Sequence, residues 1–215
     1  MGLVYEEKFP ASQRATIAGK IRDVARRLDI DPNHIMIVFN SESAGKMTTG
    51  VTNSIGCIGL IQFCPDKGGG TTKTIQGVVY NLSDIGRMSY IEQIELCYKY
   101  WYPFRDKISD LYDLYLATFY PYAMDKPDSY KYGSQVSDAM ARKIASQNPS
   151  ISNGSTYITN KQFRAYIDNK IKKAGVSGSD YLRTTRKYAK RNWVWILGVG
   201  ILTGVGTYYY LNRNK

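Results

Sequence analysis

Apolar residues recur at helical spacing in several separated stretches of the chain. Ile17, Ile21, Val24 and Leu28 fall on one face of a helix that Ser12 can cap. Asp31-Pro32 then reads as an N-cap followed by proline at the first helical position, opening an apolar run through Ile35, Met36, Val38 and Phe39. The pattern predicts a helix that ends near Ser41–Ala44 and places Glu42 at its C-terminal end. Ser89 and Glu92 have the spacing of a capping box, ahead of Ile94, Cys97, Tyr98 and Trp101. Asp110 begins a shorter helix from Leu111 to Phe119, closed by Pro121. Residues 134–147 hold a further helix candidate, and Thr159 caps a helix with Phe163, Ile167 and Ile171 on one face. Residues 45–83 are rich in Gly, Thr, Asn and Ser and predict loop, with a short strand or turn around Gly59–Phe63.

No internal repeat is visible. The pattern predicts one mainly α domain over residues 1–173, sized for a single buried core with an appendage. A small-residue stretch from Ala174 to Asp180 opens a basic juxtamembrane linker, 174–192. Residues 193–211 (WVWILGVGILTGVGTYYYL) carry no charge and as a helix would reach roughly 28 Å, one hydrocarbon thickness. Trp193 and Trp195 at one end and Tyr208, Tyr209 and Tyr210 at the other match the aromatic belts of a single transmembrane helix. Gly200 and Gly204 form one GxxxG. The alternative is a buried core helix, but such helices seldom lack charge over this length with basic and aromatic residues at both ends.

Charge changes the picture by its distribution. The net charge is +11, yet residues 1–160 carry 17 Lys and Arg against 16 Asp and Glu, whereas residues 161–215 carry 12 against 2. A nearly neutral domain argues against nucleic acid as a partner, except through the basic C-terminal region. The 19 tyrosines suit a saccharide-binding surface or a membrane interface. Cys57, Cys64 and Cys97 form no CxxC pair, and an odd count favours reduced packing residues, with a Cys57–Cys64 bridge the open alternative. MGLVYEEKFP lacks the basic start and apolar run of a secretory signal, and Glu6 stands where myristoylation at Gly2 wants Ser or Thr.

Candidate chemistry narrows by exclusion. The only histidine is His34, inside a predicted helix, which argues against zinc and against a Ser-His-Asp or Cys-His nucleophile system. Gly68-Gly69-Gly70 does not open a helix, so no phosphate-binding loop is present. Carboxylates remain, and Glu42 is the distinctive one: a glutamate at the rim of an apolar helix can have its pKa raised by desolvation, as a general acid on a glycosidic oxygen requires. A surface glutamate ending a helix is the plainer alternative. No metal and no cofactor is expected.

Phe39–Ser43 (FNSES), the polar loop after it and Gly59–Pro65 (GLIQFCP) together resemble the Glu-Ser and Gly-Leu-x-Gln signature of lytic transglycosylases and goose-type lysozymes. Asp113–Pro121 (DLYLATFYP) is similar to that family's third motif in its phage-borne form, and Met88–Trp101 to the helix between the motifs. The similarity covers residues 12–124 in order. It implies a lysozyme-like helical domain with a cleft for alternating N-acetylglucosamine and N-acetylmuramic acid. Glu42 would protonate the β-1,4 linkage oxygen and then, as carboxylate, take the proton of the muramoyl C6 hydroxyl, giving a 1,6-anhydro product. One carboxylate suffices for that route, whereas hydrolysis ordinarily uses two.

Under the same resemblance Ser43 steadies the end of the helix, Gln62 and the Gly59 backbone hold substrate, and Tyr120 approaches the acid. Each has a structural alternative: a cap for Ser43, loop support for Gln62, core for Tyr120. The motif departs from the cellular form, since Phe119-Tyr120-Pro121 stands where Tyr-Asn is usual. Asp66 or Asp84, facing Glu42, could instead direct a water. Residues 147–163 echo a calcium-loop segment of the phage relatives but lack its acidic ligands, which argues against calcium.

Five basic residues precede residues 193–211 and two follow, which by the positive-inside rule puts the domain in the cytoplasm, away from peptidoglycan. An anchor in the internal membrane of a phage virion would resolve that conflict, with the enzyme opening the wall during penetration; a bacterial inner membrane is the other location. Expected partners are peptidoglycan strands, lipid through residues 193–211, and other virion proteins. The rival readings are an inactive lysozyme-like structural protein of a membrane-containing virion and a late lysis factor.

Overall fold

Where side-chain oxygens meet the free N–H groups of a first turn, helices start as the sequence directs. The structure, a computed structural model, describes residues 2–66 and 70–175. Helix α1 spans Arg14–Leu28 and α2 Pro32–Glu42, the latter opened by Asp31, whose carboxylate accepts from Asn33 N. A hairpin follows, β1 Thr72–Ile75 and β2 Val78–Asn81, then α3 Leu82–Arg87, α4 Tyr90–Trp101 and α5 Leu111–Phe119. The C-terminal part of the unit is α6 Asp138–Gln147, α7 Pro149–Ser152 and α8 Asn160–Ala174. Capping boxes form at Ser89 with Glu92 and at Thr159 with Gln162, and Asp110 accepts from Asp113 N.

Three local expectations change. Gln13, not Ser12, stands at the start of α1, without a side-chain bond. The 134–147 candidate shortens to Asp138–Gln147 with Ser137 as cap. The loop between Glu42 and Leu82 contains the hairpin, whose antiparallel register pairs Thr72 with Asn81 and Ile75 with Val78. Gln76 and Gly77 both adopt positive φ at its turn, as a two-residue connection with the right twist demands. Ile75 alone of the eight strand residues is buried, so no alternation marked the strands in sequence.

The core lies where α1 packs on α2 and α4, and α2 on α5 and α8. Ile17, Ile21, Val24 and Leu28 meet Ile35, Met36, Val38 and Phe39, all within 1% of full burial. Phe39 stacks on Trp101, whose indole N–H donates to Thr118 Oγ1 at 2.8 Å, so the largest side chain in the core keeps its one donor satisfied. Burying such rings contributes about 2–3 kcal/mol each in apolar transfer alone. This layer fixes the C-terminal end of α2 rigidly against α5 and α8.

Helices hold 53% of the described residues, so the unit is mainly α. Among the described residues no helix is long and apolar enough to cross a membrane. The expectation of a lysozyme-like helical domain ending in a single transmembrane helix is corrected accordingly. The two longest helices, α1 and α8, have 15 residues each, about 22 Å at about 1.5 Å per residue, and carry one polar face. Residues 193–211 and the linker beyond Gly175 lie outside the described residues. Helix α8 runs through Ala174, the first residue of the expected linker, and closes on Gly175 at φ 67°.

Candidate active site

The last residue of α2 is Glu42, delivered to the helix end by the apolar face that precedes it. Ser43 follows, fully buried: its hydroxyl donates to Phe39 O at 2.6 Å and accepts from Met47 N at 2.8 Å. That pair of bonds turns the chain sharply out of the helix, with Ala44 and Gly45 at positive φ. Ser43 therefore fixes the direction in which the Glu42 backbone ends.

Glu42 keeps part of its surface in contact with solvent while protein surrounds its carboxyl closely. Burial pushes the carboxyl up to about 7, against the opposing pull of the Tyr115 hydroxyl and the Lys170 ammonium. Desolvation is the winning effect, and it leaves a carboxylic acid able to give up a proton near neutral pH.

Four hydroxyls gather at this helix end. Tyr115 of α5 reaches the Glu42 carboxyl and donates to Ser41 Oγ at 2.8 Å. Ser41 Oγ lies 3.1 Å from the Tyr166 hydroxyl of α8. Burial raises Tyr115 well above its ordinary value, and Glu42 adds to the rise, so the phenol stays protonated. The Tyr100 hydroxyl of α4 is raised by burial, and further by the charges of Glu42 and Asp66. A protonated Glu42 can donate to Tyr115, which donates to Ser41, which donates to Tyr166; an ionised Glu42 draws the Tyr115 proton instead.

The loop that carries the second motif is braced from within. Cys57 and Cys64 are joined by a disulfide, so only Cys97 is a free thiol among the described residues, and the expectation of three reduced cysteines is corrected. Two cysteines seven residues apart closed a short turn, and the odd count reflected Cys97, buried in α4. Inside the turn Ile58 and Phe63 exchange backbone bonds of 3.0 and 2.8 Å. The Gly59 N–H donates to Val51 O at 2.8 Å, and Gln62 donates its amide to Val51 O and Gly59 O at 3.1 and 3.0 Å. Both groups expected to hold substrate are thus engaged in shaping the loop.

Gly59 has a steric reason to be glycine. Its φ is 86°, and a Cβ there would sit 2.6 Å from Oε1 of Gln93. Gln93, fully buried in α4, accepts from Leu60 N at 2.8 Å and donates to Thr49 O at 3.0 Å and Ile85 O at 2.7 Å. One side chain from α4 therefore pins three separate points of the chain around the motif, a role that its sequence neighbourhood does not announce.

Tyr120 is engaged with residues further along the chain. Its hydroxyl accepts from Gly133 N at 2.8 Å and from Gln135 Nε2 at 2.5 Å, and its ring stacks on Tyr132 at 4.7 Å. The phenol that reaches Glu42 is Tyr115, five residues earlier in the same motif. Its position on α5, on the face packed against α2, is the signal that singles it out.

The two aspartates differ. Hydrogen bonds from the Thr74 hydroxyl and N–H, with Lys73 beside them, hold the Asp66 carboxyl below its ordinary value. Thr74 N donates to Asp66 Oδ2 at 2.7 Å, and Lys73 Nζ lies 3.2 Å from Oδ1. Asp84 pairs instead with Arg87 at 2.5 Å and with Asn81 at 3.2 Å on the exposed side of α3. His34 is buried in α2 and held down to about 4 by burial, hence neutral. Residues 149–154 form α7 and a left-handed turn at Asn153-Gly154. Among the described residues no cluster of three or more His, Cys, Asp or Glu could hold a metal ion.

No family model matches the chain, and neither a curated protein nor a solved structure does. The likeness to lytic transglycosylases and goose-type lysozymes is therefore a resemblance of three ordered sequence motifs alone.

Proposed function

We propose that the chain cleaves the β-1,4 bond between N-acetylmuramic acid and N-acetylglucosamine in peptidoglycan, with Glu42 as the acid. The observation that carries this reading is the state of Glu42: a residue half-buried at the end of α2, its carboxyl pushed up to about 7 by burial and met by the Tyr115 phenol. In this mechanism Glu42 gives its proton to the linkage oxygen as the bond from C1 to that oxygen breaks. The carboxylate left behind accepts a hydrogen bond from Tyr115. It then draws the proton of the C6 hydroxyl as the C6 oxygen bonds to C1, which restores the acid and releases a 1,6-anhydro end.

One observation favours a hydrolytic variant. Asp66 is held ionised by Thr74 and Lys73 while Glu42 is held protonated, and Tyr100 feels both. Two carboxyls with environments that push their proton affinities apart are what acid and base roles require. In that variant Asp66 takes a proton from water, the water oxygen bonds to C1, and a reducing end results. The Cys57–Cys64 disulfide supports action outside a reducing cytoplasm, in keeping with a phage enzyme that meets the wall during penetration.

The test is digestion of purified peptidoglycan by the full-length protein, with the soluble fragments weighed by mass spectrometry. Anhydro-muropeptides support the one-carboxylate route, and reducing ends support Asp66 as base. Intact strands after prolonged incubation with folded protein, on walls of differing cross-link chemistry, overturn the proposal.

A further inference from the structure

The motif resemblance ends near residue 124, yet a helix beyond it touches the acid's surroundings. Tyr166 of α8 meets Ser41, the residue before Glu42, at 3.1 Å between hydroxyl oxygens. Lys170, one turn later and half-buried, holds its ammonium over the Tyr166 ring at 4.7 Å from the centroid. Tyr166 and Tyr115 also meet edge to face at 6.2 Å, and Tyr115 packs edge to face on Phe163 at 5.4 Å. The result is a wall of α8 side chains laid against the end of α2, with its one cation fixed on an aromatic face rather than free in water.

We propose that the Tyr166–Lys170 face of α8 is a positioning element for Glu42: Tyr166 holds the helix end through Ser41, and Lys170 supplies the cation that steadies the carboxylate after proton transfer. This rests on the reading of Glu42 as a glycosidase acid and names residues of that site outside the motifs. The groups that act on Glu42 come from three packed elements: Tyr100 of α4, Tyr115 of α5, and Lys170 of α8. Lys170 is the only one of these that bears a charge. Burial favours the protonated form of Glu42 and makes it a poorer donor; a nearby cation offsets part of that cost and shares the negative charge once the proton has left. In a one-carboxylate mechanism the same group must donate and then accept, so its proton affinity has to stay near the working pH. Lys170 acts through the field at Glu42 and need not touch substrate.

The experiment uses the full-length protein with Lys170→Gln, Lys170→Arg and Tyr166→Phe, and reads Glu42 directly. The side-chain carboxyl is followed by carbon NMR across pH, with Glu42→Gln assigning the resonance, and peptidoglycan cleavage is measured over the same range. Lys170→Gln should raise the titration midpoint by about one unit and carry the alkaline limb of the cleavage profile with it. Lys170→Arg should stay close to wild type. Raising salt on the wild type should move the midpoint in the same direction as Lys170→Gln, a readout that needs no variant to fold. Tyr166→Phe should lower kcat several-fold at unchanged KM. A midpoint indifferent to Lys170→Gln and to salt overturns the proposal. A shifted midpoint in a protein that cleaves no peptidoglycan keeps the electrostatic coupling and overturns the glycosidase reading instead.

Discussion

Replacing Glu42 by Gln should make the protein more stable, by an amount that grows as pH rises from about 4.5 to about 7. The carboxyl sits at about 7 in the folded chain against an ordinary 4.5 in the unfolded one. At acid pH below both values the group is protonated in both states, and its effect on stability is at its most favourable. As pH rises from about 4.5 to about 7 the unfolded chain releases its proton while the folded chain still holds it, so stability is lost across that window and levels off above it. A gap of about 2.5 pH units corresponds to roughly 3 kcal/mol, at about 1.36 kcal/mol per unit. Because Glu42 keeps some contact with solvent, screening reduces the expected value to about 2 kcal/mol.

Gln is nearly isosteric and does not titrate, so the variant lacks this slope. His34, held down to about 4, and Asp110, pushed up to about 6, titrate equally in both proteins and cancel in the difference. The assay is urea unfolding of wild type and Glu42→Gln, followed by far-ultraviolet circular dichroism from about pH 4 to about pH 8.5. The stability gained by the variant should grow by about 2 kcal/mol across that range, with equal dependence on urea. A gain that is the same at every pH would refute the reasoning, as would a variant that loses stability at alkaline pH. A stabilising change at a single carboxyl would also mark the position as one held for chemistry rather than for the fold.

Three further outcomes follow from the same geometry. Tyr115→Phe removes the hydroxyl between Glu42 and Ser41 and should lower kcat for strand cleavage about 10- to 100-fold, the worth of a hydrogen bond to a charged group, whereas Tyr120→Phe should leave kcat within about twofold, because its hydroxyl bonds Gly133 and Gln135; steady-state kinetics on soluble glycan fragments separate the two. Opening the Cys57–Cys64 bridge by reductant should lower unfolding stability by about 2–3 kcal/mol, as expected for so short a ring, and an unchanged urea midpoint would show that the loop is held by its backbone bonds alone. Gln93→Leu strands Leu60 N, Thr49 O and Ile85 O in the interior and should cost about 3 kcal/mol or more, measured by urea unfolding.

What was legible in the sequence was local. Asp31 with Pro32, Ser89 with Glu92, Asp110 and Thr159 start helices because their side chains bond N–H groups within the same turn, and that chemistry is written in adjacent positions. Glu42 at the end of α2 follows from the same logic. The hairpin at 72–81 was not legible, since its strands are mostly exposed and show no alternation. The disulfide was hidden by a third, unrelated cysteine. The groups around Glu42 were hidden for another reason: Tyr100, Tyr115 and Lys170 act on it, and Tyr166 on the adjacent Ser41, from three helices brought there only by tertiary packing. The motif drew attention to Tyr120 by adjacency to Phe119 and Pro121, while helix periodicity turned Tyr115 inward. Gly59 and Gln62 were visible as motif residues, but their use in bracing the loop depends on Val51 and Gln93, far away in sequence.

The central claim, that Glu42 is the acid of a peptidoglycan-cleaving enzyme, is tested most directly by the rate at which purified peptidoglycan releases soluble fragments. Wild type and Glu42→Gln, both full-length and both shown to be folded, are compared from acid to alkaline pH. The account predicts a wild-type rate that falls as pH rises through about 7, where Glu42 loses its proton, and a variant slower by about a thousandfold or more at every pH, close to the background without enzyme. Equal rates from the two proteins, or a wild-type rate without an alkaline limb, would contradict it.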